Sequence, residues 1–147
     1  MLRTIPSDKD FLQLVLELDN VLRIMDGEDH EFYAQFNIPD DLQSAVVAYV
    51  DDTLAGCGAI KKYSEDTAEI KRMYVRPLYR RNGIAKSILK ELENWSNELQ
   101  HSQCILETAK KLTNAVGLYQ NSGYKIIPNY GQYIGVEFSL CMKKEIF

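Results

Sequence analysis

Apolar residues recur every three to four positions over residues 7–24 and 83–99, the period of a helix that buries one face. Shorter helices are predicted over residues 29–35, between the breakers Gly27 and Pro39, and over residues 113–121. Ser7, followed three residues later by Asp10, resembles the N-cap of the first helix. Gly123 ends the last one. The pattern therefore predicts a long helix in the middle of the chain and shorter ones around it.

Between these helices the pattern changes to the two-residue period of β-strands. The predicted strands cover residues 2–5, 45–50, 54–62, 68–75, 104–108, 124–127 and 137–143. Two short polar turns, at 51–52 and 64–66, join three of the strands into an antiparallel meander. The order β-α-α-β-β-β-α-β-α-β-β indicates a mixed α/β (α+β) fold.

Length and composition indicate one globular domain over residues 1–147, with 46% hydrophobic and 26% charged residues. No run of about 18 apolar residues occurs, so neither a membrane span nor a signal peptide is expected, and we expect a cytoplasmic protein. Three separated cysteines lack metal-ligand spacing, which predicts buried thiols and no metal site. His30 and His101 lie in polar surroundings and are expected at the surface.

Charge is unevenly distributed along the chain. The net charge of −4 argues against a nucleic-acid partner. The stretch from Lys71 to Lys90 nevertheless contains no acid and seven bases, namely Lys71, Arg72, Arg76, Arg80, Arg81, Lys86 and Lys90. This local basic field suits a compact anion better than a long polyanion, although a solvated helix face would look similar.

The basic stretch passes from a strand end into the start of the long helix. The first N–H groups of a helix have no partner in the chain, and the helix dipole adds positive charge there, so a pyrophosphate can dock on them. Gly83 lacks the Cβ that would block close approach, and Ala85 keeps the next position small. The sequence contains neither Gly-x-x-x-x-Gly-Lys-Ser/Thr nor Gly-x-Gly-x-x-Gly, so these nucleotide signatures are absent.

The segment Tyr79-Arg80-Arg81-Asn82-Gly83-Ile84-Ala85 resembles the acyl-CoA loop of the GNAT superfamily of N-acetyltransferases, Arg/Gln-x-x-Gly-x-Gly/Ala. Residues 68–77 look like the fourth strand of that family. Residues 115–119 and Gly123-Tyr124 look like its Leu-Tyr…Gly-Phe/Tyr helix. The resemblance implies a central, mostly antiparallel sheet flanked by helices, with acetyl-CoA as cosubstrate.

By position, the resemblance assigns the cosubstrate to two segments. Met73, Tyr74 and Val75 would offer main-chain hydrogen bonds to the acetyl and pantetheine parts. The pyrophosphate would bind the loop formed by Arg80, Arg81, Asn82, Gly83, Ile84, Ala85 and Lys86. Many family members carry an asparagine where this chain has Leu112, so either Asn114 or Thr108 is a further candidate contact.

Acetyl transfer to an amine needs a base, an oxyanion donor and an acid for the departing thiolate. Tyr119 occupies the family's tyrosine position and is the candidate acid. Glu69 is the candidate base, directly or through water, with Glu107 as the alternative. By the resemblance, an N–H of the fourth strand would polarise the thioester, with that of Tyr74 as the candidate. A two-residue period would place Glu69, Lys71, Met73 and Val75 on one face of the sheet.

The acceptor site implied by the resemblance lies in two segments rich in acids and tyrosines. Its candidate residues are Glu28, Phe32, Tyr33, Tyr130 and Tyr133. Such a site would suit a primary amine of a small molecule, amino acid or peptide, although both segments could be plain turns. The competing functions are an acyl-CoA-binding module without turnover and, against the net charge, a nucleic-acid-binding domain. A homodimer is left open.

Overall fold

The computed structural model describes residues 1–26 and 42–146. Its strands are β1 (Leu2–Thr4), β2 (Ser44–Val50), β3 (Thr53–Lys62), β4 (Thr67–Val75), β5 (Gln103–Ala109), β6 (Lys125–Ile127) and β7 (Ser139–Glu145). Its helices are α1 (Lys9–Asp26), α2 (Ile84–Glu98) and α3 (Thr113–Asn121). Single 3-10 turns cover Pro77–Tyr79 and Gly131–Tyr133. The predicted helix over 29–35, with Glu28, Phe32 and Tyr33, lies outside the described residues.

The seven strands form one sheet in the order β1-β2-β3-β4-β5-β7-β6. Every neighbouring pair is antiparallel except β4 and β5, which are parallel. The predicted mixed, mostly antiparallel sheet is therefore confirmed. The parallel pair extends only from Thr67 opposite Gln103 to Glu69 opposite Ile105, so β4 and β5 separate beyond that point.

Helices cover both faces of the sheet. On one face α2 buries Ile88, Leu89 and Leu92 against residues such as Ile60 and Leu106. On the other face α1 buries a second cluster that includes Phe11, Leu14, Val15, Val47 and Ala59. Each fully buried side chain of this size contributes roughly 1.5–3 kcal/mol. The two apolar faces therefore hold β4 between two layers of helix.

The N-cap of α1 is Asp8 and not Ser7, which corrects the sequence prediction. The main-chain N–H of Phe11 donates to Asp8 Oδ2 at 3.0 Å, and the N–H of Leu12 donates to Asp8 O at 2.9 Å. Asp8 therefore makes both the side-chain cap and the first helical hydrogen bond. Aspartate and serine are nearly equivalent caps, so the residue types alone could not choose between them.

A β-bulge interrupts β4 at Arg72. Cys57 of β3 lies opposite Tyr74, but Ala59 lies opposite Lys71, so β4 carries one extra residue at this point. Arg72 adopts a left-handed conformation with φ 58°. The extra residue reverses the alternation of side chains, so Met73 and Val75 pack with the cluster under α2 while Tyr74 packs with the cluster under α1. The expectation that Glu69, Lys71, Met73 and Val75 share one face is therefore wrong.

Two further expectations concern polar and thiol side chains. Cys57, Cys104 and Cys141 are free and buried, as predicted. His101 is only 4% exposed, so its predicted surface position is wrong. Its main-chain N–H donates to Ser96 O at 2.9 Å in the turn that follows α2. Within the described ranges, no helix is long and apolar enough to cross a membrane.

Candidate active site

A cleft of about 190 Å³ opens where β4 and β5 separate. Its lining comes from α1, β4, β5, α3, the segment before α3 and the 3-10 turn Gly131–Tyr133. The lining residues are Leu18, Leu22, Glu69, Ile70, Lys71, Arg72, Met73, Glu107, Thr108, Ala109, Lys111, Leu112, Ala115, Tyr119 and Tyr133. Several of the predicted site residues therefore meet in one place although they are far apart in the chain.

The main chain of β4 faces the cleft at alternate residues. The N–H of Arg76 bonds Ala55 O on β3 at 2.8 Å. In an antiparallel ladder the main-chain N–H and C=O groups of alternate residues point to the same neighbouring strand, so the groups of Tyr74 also point to β3. The main-chain groups of Val75 point away from β3, and the Val75 carbonyl accepts a hydrogen bond from Arg80 Nε at 2.8 Å. The main-chain polar groups of Met73 and Val75 therefore face the gap between β4 and β5, whereas those of Tyr74 point to β3; a main-chain contact of these residues with a ligand stays a prediction.

The loop before α2 leaves its main-chain donors unused. The first hydrogen bond of this turn is from Ser87 N–H to Gly83 O at 3.0 Å. In the described chain, the N–H groups of residues 81–86 have no protein acceptor. Gly83 is the N-cap with φ 75°, and a Cβ built there would meet no atom within 4 Å. This geometry fits an anion held by several N–H groups at a helix N-terminus.

The side chains of the loop are partly used within the protein. Arg80 is tied to Val75 O, and its guanidinium lies 6.0 Å from the ring of Tyr74. Asn82 Nδ2 donates to Tyr79 O at 3.3 Å. Arg81 and Lys86 are exposed. The motif arginine therefore anchors the loop to the end of β4, while the exposed cations beside it can face an anion.

Tyr119 lies on α3 at one wall of the cleft and is 7% exposed. Its ring packs edge-to-face on Tyr124, with centroids 5.9 Å apart. Burial raises the pKa of the Tyr119 phenol above its ordinary value, and the charge of Glu107 adds to the rise. The hydroxyl therefore holds its proton throughout the neutral range, as a general acid must.

Glu69 lies on β4 and is 2% exposed. Its Oε2 accepts a hydrogen bond from the Tyr130 hydroxyl at 2.6 Å. Burial, together with the charge of Glu69, raises the pKa of Tyr130, so this hydroxyl remains a donor. Tyr130 in turn packs at right angles on Tyr133, with centroids 5.7 Å apart. The structure thus brings the predicted acceptor-site residues Tyr130 and Tyr133 close to the candidate base Glu69, although Tyr130 is 61 positions away from Glu69 in the chain.

Lys71 lies between the two candidate bases and was given no site role from the sequence. Its Nζ donates to the Tyr133 hydroxyl at 3.5 Å. Burial lowers the pKa of the Lys71 ammonium, and the charges of Glu69 and Glu107 oppose this effect. Glu107 accepts a hydrogen bond from Ser139 Oγ at 2.7 Å. The basic field of the sequence contained Lys71, but only the divergence of the strands shows that it faces the cleft.

Thr108 and Asn114 differ in position. Thr108 lines the cleft and is 8% exposed. Leu112 also lines it, in the place where many relatives have asparagine. Asn114 is exposed and does not line the cleft. Of the two alternative contacts, the structure favours Thr108.

A cleft with unpaired strand groups, next to a helix that offers free N–H groups, suits an extended thioester with a diphosphate at one end. This combination defines the class of acyl-CoA-dependent acyltransferases. The family model described as "Acetyltransferase (GNAT) family" matches residues 12–124. The chain belongs to the GNAT acetyltransferase family, as the resemblance predicted.

Known proteins are similar to the chain over different lengths. An IAA acetyltransferase of Azospirillum brasilense is 30% identical over 98% of this chain and 95% of its own length. A relative named "Probable N-acetyltransferase 14" of Xenopus tropicalis is 34% identical over 55% of this chain, which spans only 40% of that protein. The PaiA N-acetyltransferase of Thermoplasma acidophilum, solved in complex with coenzyme A, has the same fold. Its TM-score is 0.71 at 20% identity, with 99% of both chains covered.

Proposed function

We propose that this protein transfers the acetyl group of acetyl-CoA to a primary amine of a small molecule, amino acid or peptide by direct attack. The observation that carries the proposal is the separation of β4 and β5 beyond Glu69, because it opens a cleft beside strand groups that no neighbouring strand uses. Acetyl-CoA is the thioester that this family uses, and the N–H groups of residues 81–86 are its proposed diphosphate site.

In the proposed reaction the amine nitrogen attacks the thioester carbon and the carbonyl oxygen becomes an oxyanion. The N–H of Val75, which points away from β3 toward the gap between β4 and β5, stabilises that charge. When the C–S bond breaks, the thiolate takes the proton of Tyr119, whose raised pKa keeps it protonated until then. The attacking nitrogen loses its extra proton to Glu69, directly or through water. The products are an amide and free coenzyme A.

Glu69 is favoured over Glu107 as the base because its surroundings are better defined. Glu69 is almost fully buried and is oriented by Tyr130 at 2.6 Å. Glu107 is half-buried and accepts from Ser139 on the neighbouring strand. A base must be held in place to take a proton from a positioned amine. Tyr130 and Tyr133 would wall the acceptor beside this carboxylate.

The test is release of free thiol from acetyl-CoA across a panel of amines, together with calorimetric titration of coenzyme A. We expect a binding signal with coenzyme A and thiol release with at least one amine. Binding without release for any amine would indicate a non-catalytic acyl-CoA-binding module. A chain that neither binds coenzyme A nor releases thiol would overturn the proposal.

A further inference from the structure

Arg72 lines the cleft and carries a buried guanidinium that the proposed reaction does not use. Its side chain is only 2% exposed. Its Nη1 donates to Asp19 Oδ1 on α1 at 2.6 Å. Its Nη2 is also buried, and within the described part of the chain it has no hydrogen-bond partner.

A buried cation with an unused donor is unfavourable unless another group completes it. The guanidinium is planar and presents its N–H groups in a fixed fork that matches the two oxygens of a carboxylate. Asp19 accepts from Nη1 only, so the buried Nη2 remains available to a second acceptor. The group that fits the remaining donor best is therefore a carboxylate.

The β-bulge is what places Arg72 there. With regular alternation, residue 72 would follow Ala68 and Ile70 on the face covered by α2, inside an apolar cluster. The left-handed conformation of Arg72, with φ 58°, turns the side chain to the α1 face instead. A non-glycine residue adopts this conformation at a cost, and such residues concentrate at functional sites. The Cys57 thiol, which donates to Arg72 O at 3.3 Å, holds the bulge in place.

We propose that Arg72 binds a carboxylate of the acceptor, so that the preferred acceptors are amines that also carry a carboxylate, namely amino acids and related amino carboxylic acids. This inference rests on the proposed acetylation of an amine and narrows its substrate class. In this arrangement the amine of the acceptor lies near Glu69. Its carboxylate binds Arg72, which is three positions further along β4. Arg72 is a specificity-determining residue and takes no part in proton transfer.

The test compares each amino acid with its own primary carboxamide as acceptor, using thiol release from acetyl-CoA. The pair shares the amine and the side chain and differs in the carboxylate charge. A charge-assisted hydrogen bond at a buried site corresponds to roughly a tenfold to hundredfold preference in kcat/KM for the acid. The amine of the carboxamide is more easily deprotonated, which works against the expected preference.

Arg72→Gln should reduce this ratio to about one, because KM for the acid should rise much more than KM for the carboxamide. Arg76→Gln is the matched control, because Arg76 is fully engaged with Glu17 and with Leu54 O and does not line the cleft. The ratio should survive in that variant. A ratio of two acceptors does not depend on how much of each variant is folded.

A second readout uses the unaltered protein alone and stays informative if Arg72→Gln does not fold. Carboxylic acids that lack the amine should inhibit acetylation competitively with respect to the amine acceptor. A wild-type ratio of one or below, or a ratio that persists in Arg72→Gln, would overturn the inference while the amine acetylation stands. Absence of thiol release with every amine would overturn the proposed function and this inference with it.

Discussion

Replacing Gly83 with alanine separates the backbone role of this residue from its role in binding. Gly83 caps α2 with φ 75°, a conformation that costs a residue with a Cβ about 1–2 kcal/mol. In the described structure no atom lies within 4 Å of the added Cβ, so the free protein should lose only this strain. Each kcal/mol lowers Tm by about 2–4 °C in a chain of this size.

The effect on coenzyme A binding should be larger than the effect on folding. The new Cβ would stand among the free N–H groups of residues 81–86, where the proposed diphosphate approaches. Losing one charge-assisted hydrogen bond costs about 1.5–3 kcal/mol, which weakens Kd about 10- to 150-fold. Calorimetric titration of coenzyme A measures Kd, and thermal unfolding without ligand measures the strain.

Gly135→Ala is the matched control for this prediction. Gly135 has φ 80° and likewise no atom within 4 Å of an added Cβ, but it lies in the connection before β7. It should lose a similar amount of stability and keep its affinity for coenzyme A. The assignment of the diphosphate site would be refuted if Gly83→Ala bound coenzyme A as the wild type does, or if both variants lost affinity equally.

Four further predictions concern the cleft and the layer beneath it. Tyr119→Phe keeps the buried ring and should lower kcat by about 10²–10⁴ with coenzyme A affinity unchanged; equal turnover would remove the hydroxyl from the mechanism. Because the pKa of Tyr119 is raised, the phenol keeps its proton to high pH. The value of kcat/KM should therefore rise with pH as the acceptor amine is deprotonated, and it should not fall near pH 10, where an ordinary tyrosine loses its proton. Glu69→Gln keeps an oxygen that can accept the hydrogen bond from Tyr130, and it should lower kcat at least tenfold. Glu107→Gln should lower kcat less. The reverse order of effects would assign the role of base to Glu107. Gly58→Ala would bring a Cβ within 2.7 Å of both Leu92 Cδ1 and Met73 Sδ. The free energy of unfolding, measured in urea, should fall by about 1–3 kcal/mol. An unchanged urea midpoint would show that the side chains between α2 and the sheet move aside at no cost.

Local patterns in the sequence determined most elements and the position of the loop before α2. The strands and the long helix follow from two periods of apolar residues, which depend only on how neighbouring positions share a face. A diphosphate site at residues 80–86 could be predicted because the donors of a helix N-terminus are contiguous in the chain. Tyr119 could be predicted as the acid because the family motif places it within a short helix.

Tertiary structure decided how β4 uses its side chains and what lies around Glu69. The bulge at Arg72 depends on the register of β3 against β4, and one extra residue moved Met73 and Val75 to the opposite face from Glu69. Tyr130 reaches Glu69 from 61 positions away, which no local pattern encodes. Strand register and the separation of β4 from β5 are set by packing of both faces against helices. The sequence therefore determined which residues could do the chemistry, and the packed sheet decided which of them meet.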